Sequence, residues 1–185
     1  MSMSLQTTYP TAPPQGFSGQ LIGAIEDQDI IPAINREVTA SIGFGRGVVF
    51  KTSSPTTDQD VLFPAAQSDI VAGIVIHFDQ YPRAFTTTDL TGASVTIGQL
   101  DGTGLIPGTQ MAILRRGKIL VTCDSGCAVG DRLFVRSANN VSTVGGLGNA
   151  ADASNMIDCT KQAVWMSSAV AGGLAELWVD FVNKP

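Results

Sequence analysis

The stretch VTCDSGCAVGDRLFVR, residues 121–136, decides how the rest of the chain is read. It holds two cysteines separated by three residues, an Asp-Ser-Gly tripeptide and a Gly-Asp pair between two β-branched and aliphatic runs. Three chemical readings compete with a plain one. Cys123 and Cys127 have the wrong spacing for a C-x-x-C redox pair, and only Cys159 and the lone His77 remain to complete a zinc site, without the tight knuckles such sites use. Asp124-Ser125-Gly126, with Asp101-Gly102-Thr103-Gly104 as partner, imitates an aspartic protease pair. Gly and Asp fill so many turns here, however, that such matches arise by chance. The plain reading is that KILVTC runs out as a strand, DSGCAVGD turns with its glycines at positive φ, and RLFVR runs back.

Working outward, the same rhythm recurs from about residue 46: GVVFK, IVAGIVIHF, ASVTI, QMAILRR, KILVTC, RLFVR, QAVWMS and LAELWVDFV are short β-rich runs. Gly, Pro, Asn, Asp and Ser punctuate them, and no long amphipathic helix interrupts. DASNMIDCTKQA could supply a helical turn or two at most. The expected fold is all-β, a β-barrel or jelly-roll-like sandwich. Residues 26–185 are expected to form this body. Residues 1–25 carry no charge before Glu26, contain Pro10, Pro13 and Pro14, and cannot build a core, so they read as an extended N-terminal arm, with a disordered tail as the alternative; the large apolar side chains favour the arm. Tyr9, Phe17, Leu21 and Ile22 would be its apolar anchors on a neighbour.

Charged residues are 15% of the chain against roughly 25% in ordinary soluble domains, and 44% are hydrophobic. Apolar surface covered by a partner fits that balance. The net charge of −5, with seven arginines and four lysines scattered except at Arg115-Arg116, offers no basic stripe for phosphates, so no nucleic-acid partner is expected. No apolar run of about 18 residues is present, and the first residues lack a basic start and an apolar core, so neither membrane insertion nor Sec export is expected. Three cysteines are read as free thiols of a reducing compartment.

In the last strand Ala175, Leu177, Val179 and Phe181 share one face by the two-residue period and are assigned to the core. Trp178 lies on the other face between Glu176 and Asp180, as an interface side chain, a second buried face or a loop cover. Gly43-Phe44-Gly45-Arg46-Gly47 precedes a strand instead of opening a helix, so it does not cradle phosphate. His77 has no serine in a Gly-x-Ser-x-Gly elbow to serve. No catalytic residue, cofactor or metal is therefore assigned.

The segments 35–53, 61–82, 107–136 and 162–181, taken in order, resemble the head decoration or cement proteins of tailed bacteriophages over about residues 19 to 183. The recurring elements are Phe44-Gly45-Arg46-Gly47-Val48, the Ala72-Gly73-Ile74 step, the Arg116-Gly117-Lys118-Ile119 turn and Val129-Gly130-Asp131. The resemblance implies a structural virion protein and not an enzyme. It would be a homo-oligomer, trimer favoured over dimer, made in the bacterial host cytoplasm. On the outer surface of the icosahedral head it would bridge and stabilise major capsid protein subunits, with Phe44, Arg46 and Trp178 joining the arm anchors as interface candidates. The alternative is another virion β module: a head fibre base, tail or glycan-binding protein.

Overall fold

QMAILRRGKILVTC contains no proline and forms one strand of 14 residues, the spine on which everything else is hung. A computed structural model describes residues 16–23, 28–52, 59–77, 85–88, 94–97, 104–137, 144–151 and 155–182. In chain order the strands are β1 (Gln20–Ile22), β2 (Asp29–Asn35), β3 (Gly47–Phe50), β4 (Asp60–Leu62), β5 (Val71–Val75), β6 (Phe85–Thr88), β7 (Ser94–Ile97), β8 (Gln110–Cys123), β9 (Phe134–Arg136), β10 (Leu147–Gly148), β11 (Met156–Asp158), β12 (Ala163–Trp165) and β13 (Gly173–Asp180). The described residues contain no helix.

The first half of β8 closes a barrel. β8 pairs with β2, β2 with β4, β4 with β3, β3 with β5, and β5 returns to β8 through Ile74↔Leu114 and Val75↔Ile113. Ala33, Val48, Val61, Ala72, Val75, Met111 and Ile113 line its interior, joined by the loop residues Ile42 and Leu105. Closure removes the exposed edges that an open sheet of these strands would present. The second half of β8 pairs with β13 from Gly173↔Cys123 to Asp180↔Arg116, and β13 pairs with β12. Residues 127–132 run beside 164–169 through the bridges Cys127↔Ala169 and Arg132↔Val164 and lead into β9. β9 pairs with β10, and β10 returns to β8 at Leu147↔Cys123, completing a second, less regular ring.

The second ring encloses the larger core, built from Ile119, Val121, Leu133, Val135, Leu147, Trp165, Leu177 and their neighbours. Val49, Ile74 and Leu114, on the outward face of the first barrel, belong to this core too. The β3, β5 and β8 wall is thus buried on both faces, which is why all five residues of β5 are buried and none is polar. A register shift between Val48 and Val49 changes the alternation there. Each fully buried aliphatic side chain in these cores contributes about 1.5–3 kcal/mol of transfer free energy.

The all-β barrel expectation stands, and Ala175, Leu177, Val179 and Phe181 are all buried as assigned. Four local readings change. The Arg116-Gly117-Lys118-Ile119 segment is not a turn: β8 runs straight through it, with a bulge at Arg115 opposite Asp29 and Ile30 and with Gly117, at φ +134°, in a conformation L side chains rarely adopt. RLFVR does not run back along KILVTC, because β10 inserts between β8 and β9, although Gly126 and Gly130 do turn at positive φ. The described part of DASNMIDCTKQA, residues 155–163, supplies β11, a turn and the start of β12, not a helix. Residues 20–22, expected in the arm, are a strand antiparallel to β8 with Leu21↔Ile119, and Leu21 packs against the larger core. Strand β2 escaped the sequence reading because Pro32 breaks its pattern. It is tolerated at a point where β2 has only β8 beside it among the described residues.

Candidate functional site

Residues 16–19 fasten the start of the described chain to the seam between the two rings. Gly19 N donates to Leu120 O at 2.8 Å, and His77 N donates to Gly19 O at 2.9 Å. The Ser18 hydroxyl donates to Phe44 O and accepts from Thr122 N, each at 3.3 Å. The approach is close enough to require glycine: a Cβ at Gly19 would lie 3.0 Å from His77 N and from Phe44 Cβ. Phe17 and Phe44 flank the His77 ring, each with a centroid separation of 4.3 Å, at interplanar angles of 56° and 66°. Such tilted aromatic contacts contribute about 0.5–1.5 kcal/mol beyond area burial.

This seam collects most of the sequence-selected residues. Phe17 is 44% exposed, Phe44 is half-buried against the smaller core, and Arg46 follows two residues later. Ile22 faces Lys118 across β1 and β8, and Lys118 faces Trp178 across β8 and β13, so Ile22 and Trp178 share a sheet face about 10 Å apart at ordinary strand spacing. Trp178 is half-buried, with Val164 of β12 on its other side. Leu21 points the other way, into the core, so it is spent on the body's own packing. Tyr9 lies outside the described residues.

Arg46 has a partner that the sequence did not disclose. Asp124 carries its carboxylate 3.7 Å from Arg46 Nη1 and 3.4 Å from Arg136 Nε. One acid thus ties the loop before β3 to the end of β8 and to β9, across the seam. Asp124 is thus engaged by two guanidinium groups, while residues 101–103 of the supposed protease partner loop lie outside the described residues. Sequence reasoning also passed over Asn35, fully buried, whose side-chain amide donates to Ala40 O and Leu105 O while its oxygen accepts from Glu37 N. Nothing in the surrounding NREVT run signals that role.

Among the described residues no group of three or more His, Cys, Asp and Glu is placed to hold a metal. The three cysteines are free. Burial, followed by the neighbouring Cys127 thiol, pushes Cys123 up to about 12 from 9.0; burial, followed by the charge of Asp158, does the same to Cys159. Unfolded thiols ionise first as pH rises, so the stability these groups contribute is intact below about pH 9 and lost as pH climbs from there towards 12. Thiol labelling at pH 8 is expected to modify Cys123 and Cys159 only at the rate of opening, with full reactivity in denaturant. Rapid labelling of Cys159 in the folded protein would contradict this burial.

Compared with known proteins, the chain is matched over residues 5–179 by a family model described as structural cement protein (E217 gp24/Pam3 gp6). A chain from the solved structure "The capsid of Myoviridae Phage XM1" superposes with a TM-score of 0.60 at 12% identity, over 96% of this chain and 98% of that one. At that identity the superposition shows a shared fold. A search of curated proteins finds no match.

Proposed function

Because this chain belongs to the phage structural cement protein family, and is thereby a structural component of the capsid, we propose that it binds the outer surface of the icosahedral head and bridges major capsid protein subunits. The family match over residues 5–179 is the observation that carries this reading. The body supports it physically. Two closed rings sharing one strand give a rigid platform, and the seam holds residues 16–19 so that the 15 residues before them start from a fixed root. Fully extended, 15 residues reach at most about 50 Å, enough to cross onto a neighbouring subunit.

Binding that favours the expanded shell over the unexpanded one stabilises the shell by mass action. Association of the chain with itself, as a trimer, adds avidity across many equivalent sites without a strong single contact. Ordering an arm costs about 1–2 kcal/mol per residue, which Tyr9 and the exposed part of Phe17 help to offset. Synthesis in the host cytoplasm, where thiols stay reduced, agrees with three free cysteines.

Co-sedimentation with mature and unexpanded shells tests the reading. The full chain is expected to saturate mature shells. A version lacking residues 1–15 is expected to stay folded, because the cut spares Gly19, β1 and their hydrogen bonds, and to lose most of its occupancy. Equal occupancy with and without these residues would remove the arm from the mechanism, and failure of the full chain to pellet with either shell would overturn the cement reading.

A further inference from the structure

Two of the three free cysteines meet in space. Gly173 N donates to Val170 O at 2.8 Å, so residues 170–173 form a tight turn, and such a turn holds its first and last Cα atoms within about 7 Å of each other. Both flanks of that turn are paired. Gly173 faces Cys123 across β13 and β8, and Ala169 faces Cys127, with Cys127 N donating to Ala169 O at 2.8 Å and Ala169 N donating to Cys127 O at 3.0 Å. Residues 124–126 therefore fold back as tightly as the turn they lie against. Gly126 permits this at φ +82°, where a Cβ would lie 3.3 Å from Ala169 O and from Ala171 N. Cys123 and Cys127 are thus brought within reach of a disulfide, whose Cα atoms stand roughly 4.4–6.8 Å apart. Both pack on the larger core, and their thiols are in hydrogen-bonding contact. A catalytic C-x-x-C pair needs two intervening residues, whereas a pair at the two ends of a turn needs only that the turn bring its ends together.

Cys123 is fully buried, whereas Cys127 is half-buried, with its thiol donating to Ser167 O at 3.6 Å. An oxidant therefore meets Cys127 first. Cys159 is buried just after β11, where its ionisable neighbour is Asp158 and not a thiol. We infer that Cys123 and Cys127 are an oxidisable pair, a dithiol in a reducing cytoplasm that closes to a disulfide clasp by exchange with a small-molecule disulfide such as oxidised glutathione. Passage of the chain from one condition to the other at host lysis rests on the virion reading; the chemistry of the pair does not. The Cys127 thiolate attacks one sulfur of oxidised glutathione, forms a mixed disulfide and expels a glutathione thiolate, which takes up a proton. Cys123 then gives up its proton and attacks Cys127 Sγ, and the second glutathione leaves as a thiolate and is protonated in turn. One dithiol of the chain is oxidised and one glutathione disulfide is reduced to two thiols. The closed bond pins the turn that carries Asp124, whose carboxylate lies between Arg46 and Arg136 across the seam. It also restricts the unfolded chain, so the oxidised form resists denaturant better.

The full chain is incubated with oxidised glutathione at pH 8 over hours, its remaining thiols are blocked in denaturant, and it is digested with trypsin. Residues 119–132 form one tryptic peptide, ILVTCDSGCAVGDR, which holds both cysteines of the pair. This peptide is expected to be lighter by two hydrogens than its reduced form and to carry no blocking group, while Cys159 is blocked. The oxidised chain is expected to unfold at a higher urea concentration than the reduced one, and dithiothreitol to reverse the difference. Cys127→Ser keeps a donor for Ser167 O, and is expected to fold and to lose its Cys123 thiol about tenfold or more slowly, since no mixed disulfide forms beside it. A lasting glutathione adduct on Cys127 with Cys123 still open to blocking would overturn the proposal. So would a disulfide to Cys159, no reaction of the folded chain, or an oxidised form that unfolds more readily. The same digest is applied to shells decorated with the chain and treated alike, where the peptide is expected in its disulfide form. A chain that closes the disulfide but ignores shells would leave the oxidisable pair standing and overturn the virion reading.

Discussion

Trp165→Ala is expected to cost about 3–5 kcal/mol of folding stability, the usual range for removing a fully buried tryptophan. Trp165 is the largest fully buried side chain among the described residues, at 0% exposure in β12, opposite Leu177 of β13 and inside the larger core. Its backbone also closes the second ring, since Trp165 N donates to Asp131 O and Trp165 O accepts from Gly130 N. The side chain therefore fills the volume around which residues 127–132 are wrapped. Its indole N–H is buried without a partner among the described residues, which gives the prediction a second, opposed arm. Trp165→Phe removes that orphan donor along with some volume, so its cost is expected to be a small fraction of the alanine variant's. Urea unfolding of the two variants beside wild type decides it. Equal, large losses would mean that the indole N–H has a partner and that the core depends on it.

Asp124→Asn is expected to destabilise by about 2 kcal/mol, because it leaves two neighbouring guanidinium groups without the charge that holds them together. The three side chains are 13%, 33% and 22% exposed for Asp124, Arg46 and Arg136, so the cluster is shielded enough for its Coulomb energy to count. Sign and salt dependence separate this from a simple lost hydrogen bond. In the variant the two guanidinium groups repel across the seam, and raising ionic strength from 0.1 to 1 M shortens the screening length from about 10 to 3 Å. The deficit relative to wild type is therefore expected to shrink with salt. A deficit that is independent of salt would show that the cluster contributes through packing and not through charge.

The two variants probe different levels of legibility. Trp165 lies in the run QAVWMS, read from the sequence as a strand, and its burial follows from strand alternation. Asp124 was legible only as a turn residue in DSGCAVGD. Its role depends on Arg46 and Arg136, which reach it from separate strands and loops, and no local pattern announces a pairing made across a seam.

The alternation along β13, the all-β character and the glycine turns were determined by the sequence alone. Each depends on interactions between residues near one another along the chain, where side-chain period and turn chemistry act. Tertiary structure alone decided that QMAILRR and KILVTC are one strand, that β10 separates β9 from β8, and that residues 20–22 belong to the body. Backbone hydrogen-bond donors and acceptors are the same at every residue, so a strand's neighbours are chosen by which cores its two faces can fill. That choice is made only when the whole chain is packed.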